Sequence, residues 1–175
     1  MQAHAPPTGS APAIRRVAAA ALAVAALDFL YVTVVFAVIL KRTTLERLAQ
    51  SIATGVLGKA AFEGGAGTVV LGLVLHLFIA FCWTLIFYVA SRRIGWLRGW
   101  VSTRTGRIRT GLLYGPVIWL AMDLVVLPLS RASAVPVTRP FFYIHLVQHA
   151  LMIGLPMALI LGAPAPYQNR FQRSS

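Results

Sequence analysis

Four long apolar stretches, at about residues 14–40, 66–90, 110–129 and 140–162, decide what this chain can fold into. A bilayer core about 30 Å thick is crossed by roughly 20 apolar residues in a helix, and each stretch reaches that length. Of the four acidic residues only Asp28 and Asp123 lie inside the stretches, and no Lys or Arg does after Arg16. The pattern predicts an all-α integral membrane bundle of four transmembrane helices, occupying residues 14–162 as a single domain.

Composition leaves room for little else. The chain is 58% hydrophobic and 11% charged, with a mean hydropathy of +0.77 over 175 residues, so no soluble domain can be placed. A net charge of +12 would suggest nucleic acid in a soluble protein. Here the bases sit in short segments beside apolar spans, where they meet anionic headgroups and fix orientation. No basic face with stacking aromatics survives once the spans are removed, which argues against a nucleic-acid partner. Cys82 is the single cysteine and lies within the second stretch, so no internal disulfide can form.

Residues 1–13 are rich in Pro, Ala and Gly and are expected to form a disordered tail. Arg15-Arg16 ahead of Val17 suggests a signal peptide, but the apolar run continues for some 25 residues and contains Asp28. Signal h-regions run to about 15 residues, so the segment is read as the first span. Residues 163–175 form a basic C-terminal tail. The N-terminal segment, the 91–109 segment and the C-terminal tail together carry ten Lys or Arg, against six on the opposite side. By the positive-inside rule both termini of this multi-pass protein are expected to be cytoplasmic.

The 91–109 segment holds Arg92, Arg93, Arg98, Arg104, Arg107 and Arg109 and no acid, with Trp96 and Trp100 as interfacial anchors. Two readings stand for it: an orientation signal, or a site for anionic lipid headgroups. Between the first two spans, Thr43-Thr44-Leu45-Glu46 fits a capping box in which Thr43 accepts from the backbone of Glu46. Leu45, Leu48, Ala49, Ile52, Val56 and Leu57 follow at helical spacing, with Glu46, Arg47, Gln50 and Thr54 mostly on the other side. One interfacial amphipathic helix over about 44–58 is expected there. The glycines at 64, 65 and 67 then break the helix before the second span.

Inside the spans, small residues recur every four positions. Thr68, Gly72, His76, Ala80 and Thr84 form one stripe, Gly111, Gly115, Trp119 and Asp123 a second, and Gly154, Ala158 and Gly162 a third. Close approach of backbones drives helix association in lipid, so Gly72, Gly111, Gly115, Gly154 and Ala158 are expected to be packing positions.

Ionisable groups are embedded in or beside these stripes. Counted from the side bearing residues 41–65 at 1.5 Å per residue, Asp28, His76, Asp123, His145 and His149 fall at depths of about 7 to 18 Å. Such groups are expensive in hydrocarbon and turn toward one another, so an intramembrane polar cluster is expected, with Tyr31 and Gln148 near enough to join it. It could be a proton- or ion-handling site or a lock that holds an assembly together. The alternative is a redox protein with haem or a transition metal on His76 and His145 or His149, imidazole and carboxylate being suitable ligands. No metal-protease HExxH, serine elbow or other catalytic motif is present, so no catalytic residue is assigned and no cofactor is expected. Bilayer lipid, and a second copy or a membrane-complex subunit, are the partners such a chain suggests.

Two longer patterns complete the reading. Ala25–Val32 can be laid over Leu120–Leu127 with Asp28 on Asp123, and the following spans carry Leu75-His76-Leu77 and Ile144-His145-Leu146. Two such hairpins would make a parallel internal repeat. The segments Gly55–Gly65 (GVLGKAAFEGG) and Val126–Ser130 (VLPLS), with Leu71–His76 and Gly111–Gly115, resemble uncharacterised bacterial inner-membrane proteins, relatives of the YagU-like proteins of the DUF1440 type. The resemblance covers about residues 14–162. It implies a bacterial inner membrane and supplies no reaction.

Overall fold

The computed structural model describes residues 13–133 and 136–162. The tails expected at 1–13 and 163–175 lie outside the described residues, apart from Ala13, which opens the first helix. Among the described residues the chain forms six helices and no strand: α1 (Ala13–Ile39), α2 (Leu45–Leu57), α3 (Gly65–Arg93), α4 (Gly95–Ser102), α5 (Arg104–Leu129) and α6 (Pro140–Leu161). α1, α3, α5 and α6 are long and apolar enough to cross a membrane. Their outward faces carry Leu22, Val70, Phe78 and Leu113, each more than half exposed, a surface suited to lipid and not to water.

The boundaries differ from the expected ones mainly around the basic segment. α3 runs on to Arg93, and Thr103 caps α5 by accepting from the Gly106 amide at 3.0 Å. Arg104, Arg107 and Arg109 therefore ride on the first turns of α5, and α4 occupies the space between. Leu97 and Val101, four apart, bury that short helix against the rest.

α2 corrects the sequence reading at its N-cap. Its N-cap is Thr44 and not Thr43: Thr44 is extended and its hydroxyl accepts from the Arg47 amide at 3.2 Å. Glu46 turns along the helix instead, accepting from Gln50 at 3.4 Å. Ala49, Gln50, Ala53 and Thr54 are buried while Leu45, Val56 and Leu57 are exposed. In lipid the apolar phase lies outside, so polar side chains seek the neighbouring helix. Gln50 is held there by Thr68 and by the Gly65 carbonyl. A 3₁₀ turn at Gly58–Glu63 returns the chain to α3, with Gly58 and Gly65 at φ of 63° and 54° at its two ends.

α1 packs on α3 and α6, and α5 packs on α6. α3 and α5 meet through large aromatics: Tyr114 donates to the Trp83 carbonyl at 3.0 Å and its ring lies 5.0 Å from that of Phe87. The small residues explain the close contacts. A Cβ on Gly72 would collide with the Ala49 carbonyl of α2, one on Gly115 with the His149 carbonyl, and one on Gly154 with the Gly111 carbonyl. A Cβ on Gly111 would lie 2.6 Å from the Gly154 oxygen, so the α5–α6 seam is backbone against backbone. The α3 stripe serves two neighbours. A step of four residues advances a 3.6-residue helix by about 40°, so Thr68 and Gly72 face α2 while His76 faces α1.

The interior is zoned along the helices. Val17, Ala20, Val24, Phe87, Leu97, Val101, Ile118, Met157, Ala158 and Leu161 form one apolar core in the half nearer α4. The ionisable residues lie beyond it, in the half nearer α2. Three of the long helices also widen into π-helical turns in or near that half, at Thr33–Ile39, Met122–Val126 and His149–Gly154. The latter two precede Pro128 and Pro156, whose rings cannot accommodate the carbonyl four residues back.

Candidate functional site

The polar half centres on Asp28 of α1. Its Oδ1 accepts a 2.6 Å hydrogen bond from Gln148 Nε2 of α6, and its Oδ2 lies 3.7 Å from His76 Nε2 of α3. The side chains of His76 and Asp28 are 18% and 16% exposed, so the pair is shielded without being sealed. Gln148 is buried. Three helices thus contribute one group each.

Backbone carbonyls fix two histidine tautomers. His76 Nε2 lies 3.0 Å from the Ala25 oxygen, and a carbonyl only accepts, so this nitrogen carries hydrogen and Nδ1 keeps the lone pair. His149 Nδ1 lies 2.9 Å from the His145 oxygen, which leaves Nε2 as the basic nitrogen of that ring. Each imidazole therefore presents one nitrogen able to take up a proton.

Trp119 organises the other histidines. Its indole, buried on α5, lies 5.1 Å from the His145 ring and 4.9 Å from the His149 ring, and Phe142 packs on it too. Phe36 of α1 covers His145 in a near-parallel stack at 5.6 Å. Phe29 packs on His76 at 5.7 Å. Asp123, on the π-helical turn of α5, is almost fully buried at 1% exposure.

His76 and Gln148 each reach Asp28, and His145 and His149 pack on the Trp119 ring. Sequence spacing singled out Asp28, His76, Asp123, His145 and His149; Trp119 and Phe36 were missed as members. Trp119 was visible only as a large residue in a stripe of small ones. Tyr31, expected near Asp28, makes none of these contacts.

A metal or haem fits this arrangement poorly. Among the described residues no three His, Cys, Asp or Glu side chains converge as a ligand set. His76 spends Nε2 on a carbonyl, and His145 is stacked between Phe36 and Trp119.

No family model matches the chain, and no similar chain emerges from the curated proteins or from the solved structures. The site therefore has to be read from its own chemistry.

Proposed function

We propose that this is a multi-pass inner-membrane protein of a bacterium, a four-helix transmembrane bundle that handles protons at Asp28, His76 and Gln148. The observation that carries the reading is the Asp28 carboxylate, held inside the membrane between an imidazole and an amide donor. An intramembrane carboxylate with a titratable neighbour is the usual form of a proton-binding site. A proton taken up on Asp28 neutralises its carboxylate, which suits a medium that penalises charge. The basic nitrogens of His76 and His149 offer the next acceptors, and Trp119 holds His145 and His149 in place. The resemblance to YagU-like proteins agrees with the location and adds no chemistry.

The test is proton flux in liposomes containing the purified protein and a trapped pH-sensitive dye, driven by a potassium diffusion potential. Wild-type protein should acidify or alkalinise the lumen faster than empty liposomes, and Asp28→Asn and His76→Gln should abolish the difference. Flux equal to empty liposomes would remove the proton reading. If both variants then also lowered stability, the cluster would be an assembly lock between helices. A Soret band in the purified protein that disappears in His76→Ala would favour the haem alternative.

A further inference from the structure

Charge is segregated along this molecule more sharply than the sequence count suggests. All four acids, Asp28, Glu46, Glu63 and Asp123, lie in the half of the helices nearer α2 or in the segment joining α1 to α3. The opposite end carries Arg15, Arg16, Arg92, Arg93, Arg98, Arg104, Arg107 and Arg109 with no acid among them. Those arginines divide into two groups. Arg16 donates to the Ile160 carbonyl at 3.4 Å, and the Arg107 stem packs against Gly162, so both are spent on the last turn of α6. Arg92 lies over the Tyr88 ring at 5.2 Å. Arg93, Arg98, Arg104 and Arg109 are exposed, as is Arg15.

α4 gives this charged end its shape. Leu97 and Val101 anchor the helix in the apolar core, while Trp96 and Trp100 stand outward at 64% and 49% exposure. Their rings meet edge to face at 5.9 Å. Trp side chains favour the headgroup level of a bilayer, where one edge is wet and the other apolar. The same end of the molecule carries the exposed guanidinium groups of Arg98, Arg104 and Arg109, and a guanidinium at headgroup level can bind a lipid phosphate with two parallel hydrogen bonds.

We propose that the α4 end of the molecule, with Trp96, Trp100 and Arg98 exposed on α4 and Arg104 and Arg109 exposed on α5, is a binding surface for anionic phospholipid headgroups. The inference is independent of the proton reading. It differs from an orientation signal in a measurable way: an orientation signal acts during insertion, whereas a headgroup site holds lipid in the finished protein. A juxtamembrane base contributes about fivefold to the affinity for an anionic surface, so three together contribute about a hundredfold.

The experiment is native mass spectrometry of the detergent-purified full chain, titrated with phosphatidylglycerol, with phosphatidylcholine and with inorganic phosphate. In detergent the variants carry no orientation to confuse the result. Wild-type protein should retain phosphatidylglycerol in preference to phosphatidylcholine, and salt should weaken the preference. The R98Q/R104Q/R109Q variant should lose about a hundredfold for phosphatidylglycerol, and R98K/R104K/R109K should keep most of it. These side chains are exposed, and an unchanged helical circular dichroism spectrum confirms folding. Equal retention of the two lipids, or an unaffected Gln variant, overturns the proposal. Competition by millimolar phosphate as effective as lipid would mark a free-anion site and overturn it as well.

Discussion

Gln148 Nε2 donates to Asp28 Oδ1 at 2.6 Å and so ties α6 to α1 across the polar half of the protein. A hydrogen bond to an ionised group contributes about 1.5–3 kcal/mol in soluble proteins, and interhelical bonds in membranes average nearer 0.6 kcal/mol. The first prediction follows from that pair. Asp28→Asn and Gln148→Leu should each lower the unfolding temperature, and the double variant should fall short of their sum by about 0.5–2 kcal/mol. Additivity within about 0.3 kcal/mol in a denaturant titration would show that the two side chains act independently.

The α5–α6 seam gives the second prediction. Gly115 and Gly154 each face a carbonyl oxygen of the opposite helix, with no flexible side chain to yield. Gly115→Ala and Gly154→Ala should each cost about 1–3 kcal/mol through forced separation of the backbones. Gly67, near the start of α3, has nothing within 4 Å of an added methyl, so Gly67→Ala should be neutral or gain up to about 1 kcal/mol. Equal thermal shifts for the three variants would contradict the backbone-to-backbone seam.

The long helices were legible because hydrocarbon imposes one strong rule, length with few charges, which composition alone carries. The candidate site was legible by half. Counting depth along the spans placed Asp28, His76, Asp123, His145 and His149 together, since rise per residue is nearly constant in a helix. Azimuth was not legible, because a stripe of residues four apart turns by about 40° per step and passes from one neighbour to another. Thr68 and Gly72 consequently serve α2 while His76 serves α1. The π-helical turns were invisible for a related reason: they arise from how a helix relieves Pro128 or Pro156, and the one at Thr33–Ile39 has no proline to announce it.

The exposed apolar face of α2 makes the third prediction. Single cysteines at Leu45 and Val56, on the exposed apolar face, should be quenched by nitroxide-labelled lipids when they carry a fluorophore. A cysteine at Ala53, buried against the neighbouring helix, should label slowly and be quenched weakly. In the same spirit Gln50→Leu, which removes the bonds to Thr68 and Gly65, should cost about 0.5–2 kcal/mol, and Leu45→Ile almost nothing. Strong quenching at 53 with none at 45 or 56 would contradict the burial of Ala53 and the exposure of Leu45 and Val56.

Orientation supplies the fourth prediction. In the sequence, residues 1–16, 91–109 and 163–175 carry ten bases, against six in 41–65 and 130–139, and insertion reads the bases near the span ends while giving acids little weight. A reporter fused at the C-terminus should therefore fluoresce as green fluorescent protein and be silent as alkaline phosphatase. The margin is narrow enough to be reversed by design. Arg92→Gln, Arg93→Gln, Arg98→Gln and Arg104→Gln together would bring the count to six on each side. The quadruple variant should then split between two orientations, with both reporters active in one population. Arg107 is left untouched because its stem packs on Gly162 and its loss would disturb the end of α6. A quadruple variant that stays wholly in the wild-type orientation would mean that something other than the balance of bases, such as the order in which the spans insert, decides the topology.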